Sequence, residues 1–209
     1  MRIALFGAAG SIGSAVLSRA LENGHEVRAL ARDPSKVEAH PSLTVVGGDA
    51  RSAEQVADVL RGAVAVVSAI GTRATTAAAA DELVEAERTL VAAMEREGVR
   101  RLVFVAGAGV DAAGDRRGMF HGAAGALVRV VARHVVAAKE REFDLVRATA
   151  LDWTAVRPVR VLRGGDAGGY RVSLERPPGM RITSGGVAAF IMRVVEDGSY
   201  IRQAPFIAS

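Results

Sequence analysis

The chain has no cysteine. Disulfides, thiolate metal sites and cysteine nucleophiles are thereby excluded, in keeping with a reducing compartment. Aromatic residues make up only 4% of the 209 residues, too few for the stacking platforms that bind single-stranded nucleic acid. Lysine occurs only at positions 36 and 139, so the net charge of +4 rests on arginine. Few groups titrate between the histidine and arginine ranges, and a small arginine excess therefore lifts the isoelectric point to about 10.3. The cations alternate with acids, as from Asp81 to Arg101, rather than forming a basic run, and no nucleic-acid partner is expected. Long apolar runs are also missing. The most membrane-like stretch, Gly122 to Ala138, is broken by Arg129, Arg133 and His134 and falls short of the ~20 residues a span needs. A cytoplasmic protein with no membrane partner is the expectation.

What is present is a chain half apolar and a quarter charged, with a mean hydropathy of +0.21 carried by Ala, Val, Leu and Ile. That composition suits close-packed helices on buried parallel strands. Short apolar runs recur at Arg2–Phe6, Glu26–Leu30, Leu43–Val46, Ala63–Ala69, Arg101–Val105 and Trp153–Val156. Between them lie segments of helical period, Ser11–Asn23, Ala53–Arg61, Ala79–Glu97, Ala124–Ala148 and Ser184–Glu196, three of them followed by Gly24, Gly62 and Gly98. Strands alternating with helices predict an α/β fold, a doubly wound parallel sheet in a single domain over residues 1–209. Residues 158–182 carry two Gly-Gly pairs and Pro177-Pro-Gly179, and read as an excursion forming a small C-terminal lobe over the carboxyl edge of the sheet.

The first strand runs into Gly7-Ala-Ala-Gly10-Ser-Ile-Gly13 and then a helix. In such a turn the first glycine allows a tight bend, the second a close approach to a pyrophosphate, and the third close helix–strand packing. Free amides and the positive end of the helix dipole meet the phosphates. The same spacing, rather than a signal peptide, accounts for the small-residue start of the chain. Nineteen residues past Gly13, at the end of the second strand, a protein selective for NAD would place an acid. This chain places Arg32, whose guanidinium suits a 2′-phosphate, so NADP(H) is expected in preference to NAD(H), with Asp33 the competing ribose ligand. Lys36 reads either as added positive charge or as a solvated surface lysine. Asp49 reads either as a ligand of the adenine amino group or as the cap of the next helix. Ser68-Ala-Ile-Gly71 closes the fourth strand with small residues that let backbone pass near the coenzyme. The coenzyme-binding set is thus Gly7, Ala9, Gly10, Ser11, Ile12, Gly13, Arg32, Asp49, Ala50, Ala69, Ile70 and Gly71, with Lys139 in support.

Together with Ala31-Arg-Asp-Pro34, Gly48-Asp49, Leu151-Asp-Trp-Thr-Ala-Val-Arg-Pro158 and Ile182-Thr-Ser184, these residues resemble the atypical short-chain dehydrogenase/reductases, in the NmrA-like NAD(P)H-binding branch that includes flavin and biliverdin reductases. The resemblance implies a Rossmann-like fold and a nicotinamide coenzyme. In the wider family a Tyr-x-x-x-Lys pair and an upstream hydroxyl form the active site. Here Lys139 stands where the family lysine would, but Val135 takes the tyrosine's place and Leu102–Val110 holds no hydroxyl residue. Hydride transfer to a flavin or quinone-like acceptor remains open to such a protein, because the acceptor can take its proton from water. Two rival readings are a non-catalytic NADP(H) sensor and, with less in its favour, a nucleotide-sugar epimerase-like enzyme.

Lys139 is the candidate for holding the nicotinamide ribose, its alternative a solvent-facing helix lysine. His121, in the loop Asp111–Gly122, is a candidate general acid, and His134 a substitute for the missing tyrosine. His25 and His40 read as solvent positions, and no histidine pair has metal-ligand spacing, so no metal is expected. Arg157 reads as a partner either for an anionic substrate or for an acid of the fold, with Arg116, Arg117, Arg160 and Arg163 nearby in sequence, and Met119 and Phe120 as pocket or anchor residues. A small-molecule substrate and a monomer or homodimer complete the expectation.

Overall fold

Apolar residues alternate between the two faces of the first strand, β1 (Arg2–Phe6), so that Ile3 and Leu5 face one helical layer while Ala4 and Phe6 face the other. A strand buried on both faces belongs in the middle of a parallel sheet, and the computed structural model places it there. It describes residues 1–71, 76–116, 133–165 and 169–209. Parallel strands β2 (Glu26–Ala31) and β3 (Leu43–Gly47) extend one side of β1. On the other side follow β4 (Ala65–Ser68), β5 (Arg101–Val105) and β6 (Asp152–Pro158). The strand order is β3-β2-β1-β4-β5-β6, continued by β10 (Phe206–Ala208) and the antiparallel edge strand β8 (Arg171–Ser173). Helices α1 (Ser11–Glu22) and α5 (Ser184–Asp197) cover one face. The other carries α2 (Ala53–Leu60), α3 (Ala77–Glu97) and the described part of α4 (Arg133–Arg147).

Most expected elements agree with these spans to within two residues. The short strands after Pro158 are the exception. The excursion expected over 158–182 contains β7 (Arg160–Leu162), which pairs with β9 (Arg181–Thr183) in a separate two-stranded sheet, whereas β8 joins the main sheet. Three-residue strands have too few positions to show a period, and their pairing partners lie far away in sequence. Of the helix expected over Ala124–Ala148, residues up to 132 lie outside the described residues.

Arg157 takes the second of its two readings, as a partner for an acid of the fold. It is fully buried at 0% exposure, so it is not offered to an anionic substrate. Nη1 and Nη2 donate to the two oxygens of Asp115 at 2.6 and 2.8 Å, Nε to the Ala204 carbonyl at 2.8 Å, and Nη1 also to the Val110 carbonyl at 3.0 Å. The guanidinium carbon lies 3.6 Å above the centre of the Phe206 ring. One side chain thus ties β6, β10 and the segment after β5 together, with its charge matched by a bidentate carboxylate. His25 is likewise buried rather than solvated, its ring held between Glu196 at 2.8 Å and the chain amino group at 3.4 Å. His40 is exposed, as expected, and accepts from the Ser42 amide.

Replacing Arg157 by Leu strands a largely buried Asp115 carboxylate, and urea unfolding should show a loss of ~3–5 kcal/mol. An unchanged midpoint would contradict the clamp.

Candidate functional site

The register of the sheet brings four strand ends level. Phe6 pairs with Leu30 on one side and with Ser68 on the other, and Ala31 pairs with Gly47. Because the strand order reverses at β1, the loops after β1 and β4 leave toward opposite faces and open a crevice at the carboxyl edge. A cleft of about 490 Å³ lies there. Its walls are Phe6–Gly10 at and after the end of β1, Leu30–Asp33 at and after the end of β2, Gly48–Arg51 after β3, Ala69–Gly71 after β4, and Ala79, Glu82, Leu83 and Ala86 of α3.

The glycine turn is shaped by close backbone approaches. Gly7 sits at φ +86°, and a Cβ there would stand 2.5 Å from the Ala69 carbonyl oxygen. A Cβ on Gly13 would overlap the Gly7 carbonyl, so the helix start is pressed onto the turn. The Gly10 amide closes the bend onto Gly7 O at 2.9 Å. Gly10 is the N-cap of α1 and supplies no side-chain acceptor, nor is there an acid in the first turn. Helices α2, α3 and α5 are instead capped by Ser52, Thr76 and Thr183. Ser11, Ile12 and Gly13 occupy the first turn of α1, where amides have no intrahelical acceptor. Gly7, Ala9 and Gly10 line the cleft beside them. A turn with no room for a Cβ at Gly7 or Gly13 and a helix start with no acceptor of its own suit a diphosphate.

The charged rim of the cleft is largely self-neutralised. Asp33 caps the short 3₁₀ turn Pro34–Lys36, accepting from the Ser35 amide and hydroxyl and pairing with Lys36 at 3.1 Å. The Ser35 hydroxyl and Lys36 hold its carboxyl below the usual carboxylate range. Lys36 is therefore a paired, exposed residue at the rim. Asp49 is not the cap of α2, which is Ser52. It accepts from the Arg51 amide and from its guanidinium at 2.7 and 3.0 Å, bonds that lower its pKa to about 2. Arg51, which the sequence reading missed, also reaches Glu82 at 3.3 Å. Arg32 is exposed at the same rim and has no ion-pair or hydrogen-bond partner among the described residues. Ala50 lines the cleft between Asp49 and Arg51.

At the β4 side, Ala69, Ile70 and Gly71 form the wall. Lys139 reaches this wall from α4 but is not among the cleft-lining residues. Its ammonium donates to the Ile70 carbonyl at 3.0 Å and pairs with Glu142 at 2.8 Å. Its side chain is 15% exposed, which overturns the solvent-facing alternative. Beside it, Glu87 and Glu142 are each 1% exposed, and the Ser68 hydroxyl donates to Glu87 at 3.0 Å. Burial pushes the Glu87 carboxyl up against the pull of Lys139 and Ser68. Burial, opposed by Lys139 and reinforced by Glu87, raises Glu142 to about 8. Neither acid was singled out from sequence. The spacing Lys139-x-x-Glu142 is a legible helical pair, but Glu87 meets it only through the packing of α3 against α4.

His121, Arg117, Met119 and Phe120 lie outside the described residues. His134 is half-buried on α4 and is not a cleft residue. Arg116 pairs with Glu175, and Arg160 and Arg163 are exposed away from the cleft walls. No cluster of three metal-ligating side chains and no helix long and apolar enough to cross a membrane occurs among the described residues.

Comparison with known proteins agrees with this geometry. A curated relative, a 3-beta-hydroxysteroid dehydrogenase of Mycolicibacterium neoaurum, is 34% identical over 115 residues, half of this chain but only 31% of the relative. Among solved structures, a Burkholderia pseudomallei protein proposed to be exported aligns over the whole of both chains, with 28% identity and a TM-score of 0.80. ChuY, an anaerobillin reductase of Escherichia coli O157:H7, is 22% identical over 99% of this chain and 96% of its own, with a TM-score of 0.84. The oxidoreductase ylbE of Lactococcus lactis is 19% identical over 100% and 91%, with a TM-score of 0.82. At such identities the last two likenesses concern the fold. The family described as NAD(P)H-binding matches residues 7–198, from the first glycine of the turn to the glycine that ends α5. The chain belongs to this NAD(P)H-binding family.

Proposed function

We propose that the protein is an NADP(H)-dependent oxidoreductase that reduces a small conjugated acceptor, a flavin or a quinone-like ring. The observation that carries the coenzyme choice is Arg32. Lys36 and Arg51 are each paired with rim acids, whereas Arg32 is not, and Asp33 is turned back onto its own 3₁₀ turn. A guanidinium at the end of β2 with its donors free suits a 2′-phosphate better than a 2′-hydroxyl.

The chain's own groups divide the work along the cleft. Gly7, Gly10 and the first-turn amides of Ser11, Ile12 and Gly13 would hold the diphosphate. Arg32 would grip the 2′-phosphate, and Asp49 with Ala50 would border the adenine. Ala69–Gly71 would form the wall beside the nicotinamide half. Bound there, the nicotinamide supplies a hydride for two-electron reduction. Val135 and the hydroxyl-free stretch Leu102–Val110 offer no side-chain proton donor at the family's usual positions. This favours an acceptor protonated by solvent over a carbonyl needing an enzyme acid. The dehydrogenase relative is in keeping with nicotinamide chemistry. The missing hydroxyls also support a second reading, a coenzyme-binding sensor that turns nothing over.

Titration calorimetry should show tighter binding of NADPH than of NADH. Arg32→Ala should weaken NADPH roughly ten- to a hundredfold, the scale of a lost charged hydrogen bond, and leave NADH nearly unchanged. Equal affinities in the wild type would defeat the NADP assignment. With NADPH in excess over enzyme, repeated turnover on a panel of flavins and quinones separates the reductase from the sensor, for which oxidation stays at or below one equivalent.

A further inference from the structure

The end of β4 is gripped from behind at two points. The Ser68 hydroxyl is bound by Glu87 of α3, and two residues later the Ile70 carbonyl is bound by Lys139 of α4. Between them sits Ala69, whose amide bonds to Phe6 O at 2.9 Å and whose carbonyl makes the close approach to Gly7. The backbone facing the cleft is therefore placed by side chains that do not line it. Glu142, at 2.8 Å, fixes the Lys139 ammonium from the far side.

The charge count of this cluster is unusual. Among the described residues, two carboxyls, each 1% exposed, stand with one ammonium. Lys139 acts on both acids and Glu87 acts on Glu142. Ser68 contributes an uncharged donor, and Glu87 Oε1 has no hydrogen-bond partner among the described residues. Two buried anions against one cation leave an uncompensated charge, so one carboxyl keeps its proton. Loss of that proton draws the ammonium toward the acids and away from the Ile70 carbonyl.

We propose that Lys139, paired with Glu142 and acting on the buried Glu87 through space, is a positioning residue for the coenzyme: it holds the Ala69–Gly71 wall in its binding shape, and the charge of the two acids controls how firmly it does so. The inference rests on the coenzyme reading above, and assigns Lys139 a role through backbone rather than through a direct bond to ribose. The sign follows from Glu142. Its carboxyl is raised from 4.5 to about 8 in the folded protein, so the extra proton is held at neutral pH and lost as the pH rises through about 8. Coenzyme affinity is then highest at neutral pH and falls across that window.

The test combines NADH and NADPH binding between about pH 7 and about pH 9.5 with amide hydrogen exchange of the free protein. NADH lacks the 2′-phosphate, so its pH dependence reports the protein. Wild type should lose roughly fivefold in affinity for both coenzymes across the window. Glu142→Gln should bind throughout as the wild type does at neutral pH, and Lys139→Met should weaken both coenzymes alike by roughly tenfold. The equal loss distinguishes Lys139 from Arg32, whose replacement acts on NADPH alone. In the free protein, Lys139→Met should speed exchange at Ala69, Ile70 and Gly71, and Glu142→Gln should not. A wild-type affinity independent of pH, or unchanged exchange and binding in Lys139→Met, overturns the proposal. Accelerated exchange in Lys139→Met, with a wild type that binds neither coenzyme, would sink the coenzyme reading and overturn the anchor's link to binding. Should Lys139→Met fail to fold, the pH profile of the nearly isosteric Glu142→Gln decides: retention of the wild-type slope refutes the proposal.

Discussion

The site depends on the approach of two backbones at the carboxyl edge of the sheet. Gly7 comes so near the Ala69 carbonyl that no side chain fits between them, and the start of α1 is pressed equally closely onto Gly7. These contacts hold the β1 and β4 loops at the point where the sheet changes its direction of winding, and they leave the first amides of α1 without an acceptor. The space that remains is a cleft bordered by the glycine turn and by small residues at the strand ends. Binding there requires little rearrangement of protein dipoles, and such preorganisation limits the cost of association.

Electrostatics divides the cleft into two unlike ends. At the rim below β2 and β3 the charged side chains neutralise one another in solvent: Asp33 with Lys36, and Asp49 and Glu82 with Arg51. Exposed pairs of this kind add little stability, but they determine which charges remain on offer, and among the described rim cations Arg32 is outside the pairing. Behind β4 the charges are buried, and among the described residues two carboxyls stand with one cation. Burial there makes a proton part of the structure. The same chain thus has exposed ion pairs at one end of the cleft and a buried lysine–glutamate pair behind the other.

Arg157 shows the third use of charge. It is as buried as the acids behind β4, yet its guanidinium is met by both oxygens of Asp115, two carbonyls and an aromatic face. With four of its five N–H donors engaged and no exposed surface, it is not offered to a ligand and serves to lock the last strands to the segment after β5. An arginine at a strand's carboxyl end looks the same in sequence whether it faces a cleft or a carboxylate. Only the position of Asp115, forty-two residues earlier, tells them apart.

The alternation of apolar runs and helical periods was enough to read the parallel sheet, because strand burial and helix amphipathicity are local patterns with fixed periods. The glycine turn was readable for a related reason: steric demands on backbone act within a few residues, so Gly7, Gly10 and Gly13 carry their meaning in their spacing. The place of Arg32 at the cleft rim was legible from its distance to that turn. The three-residue strands β7 to β9, the pairing of Arg51 with Asp49 and Glu82, the burial of His25, and the meeting of Glu87 with Lys139 and Glu142 were decided only by tertiary structure. Each depends on which distant segments pack together, and the energies of ion pairs and buried protons follow from burial and separation, quantities that a linear order of residues does not contain.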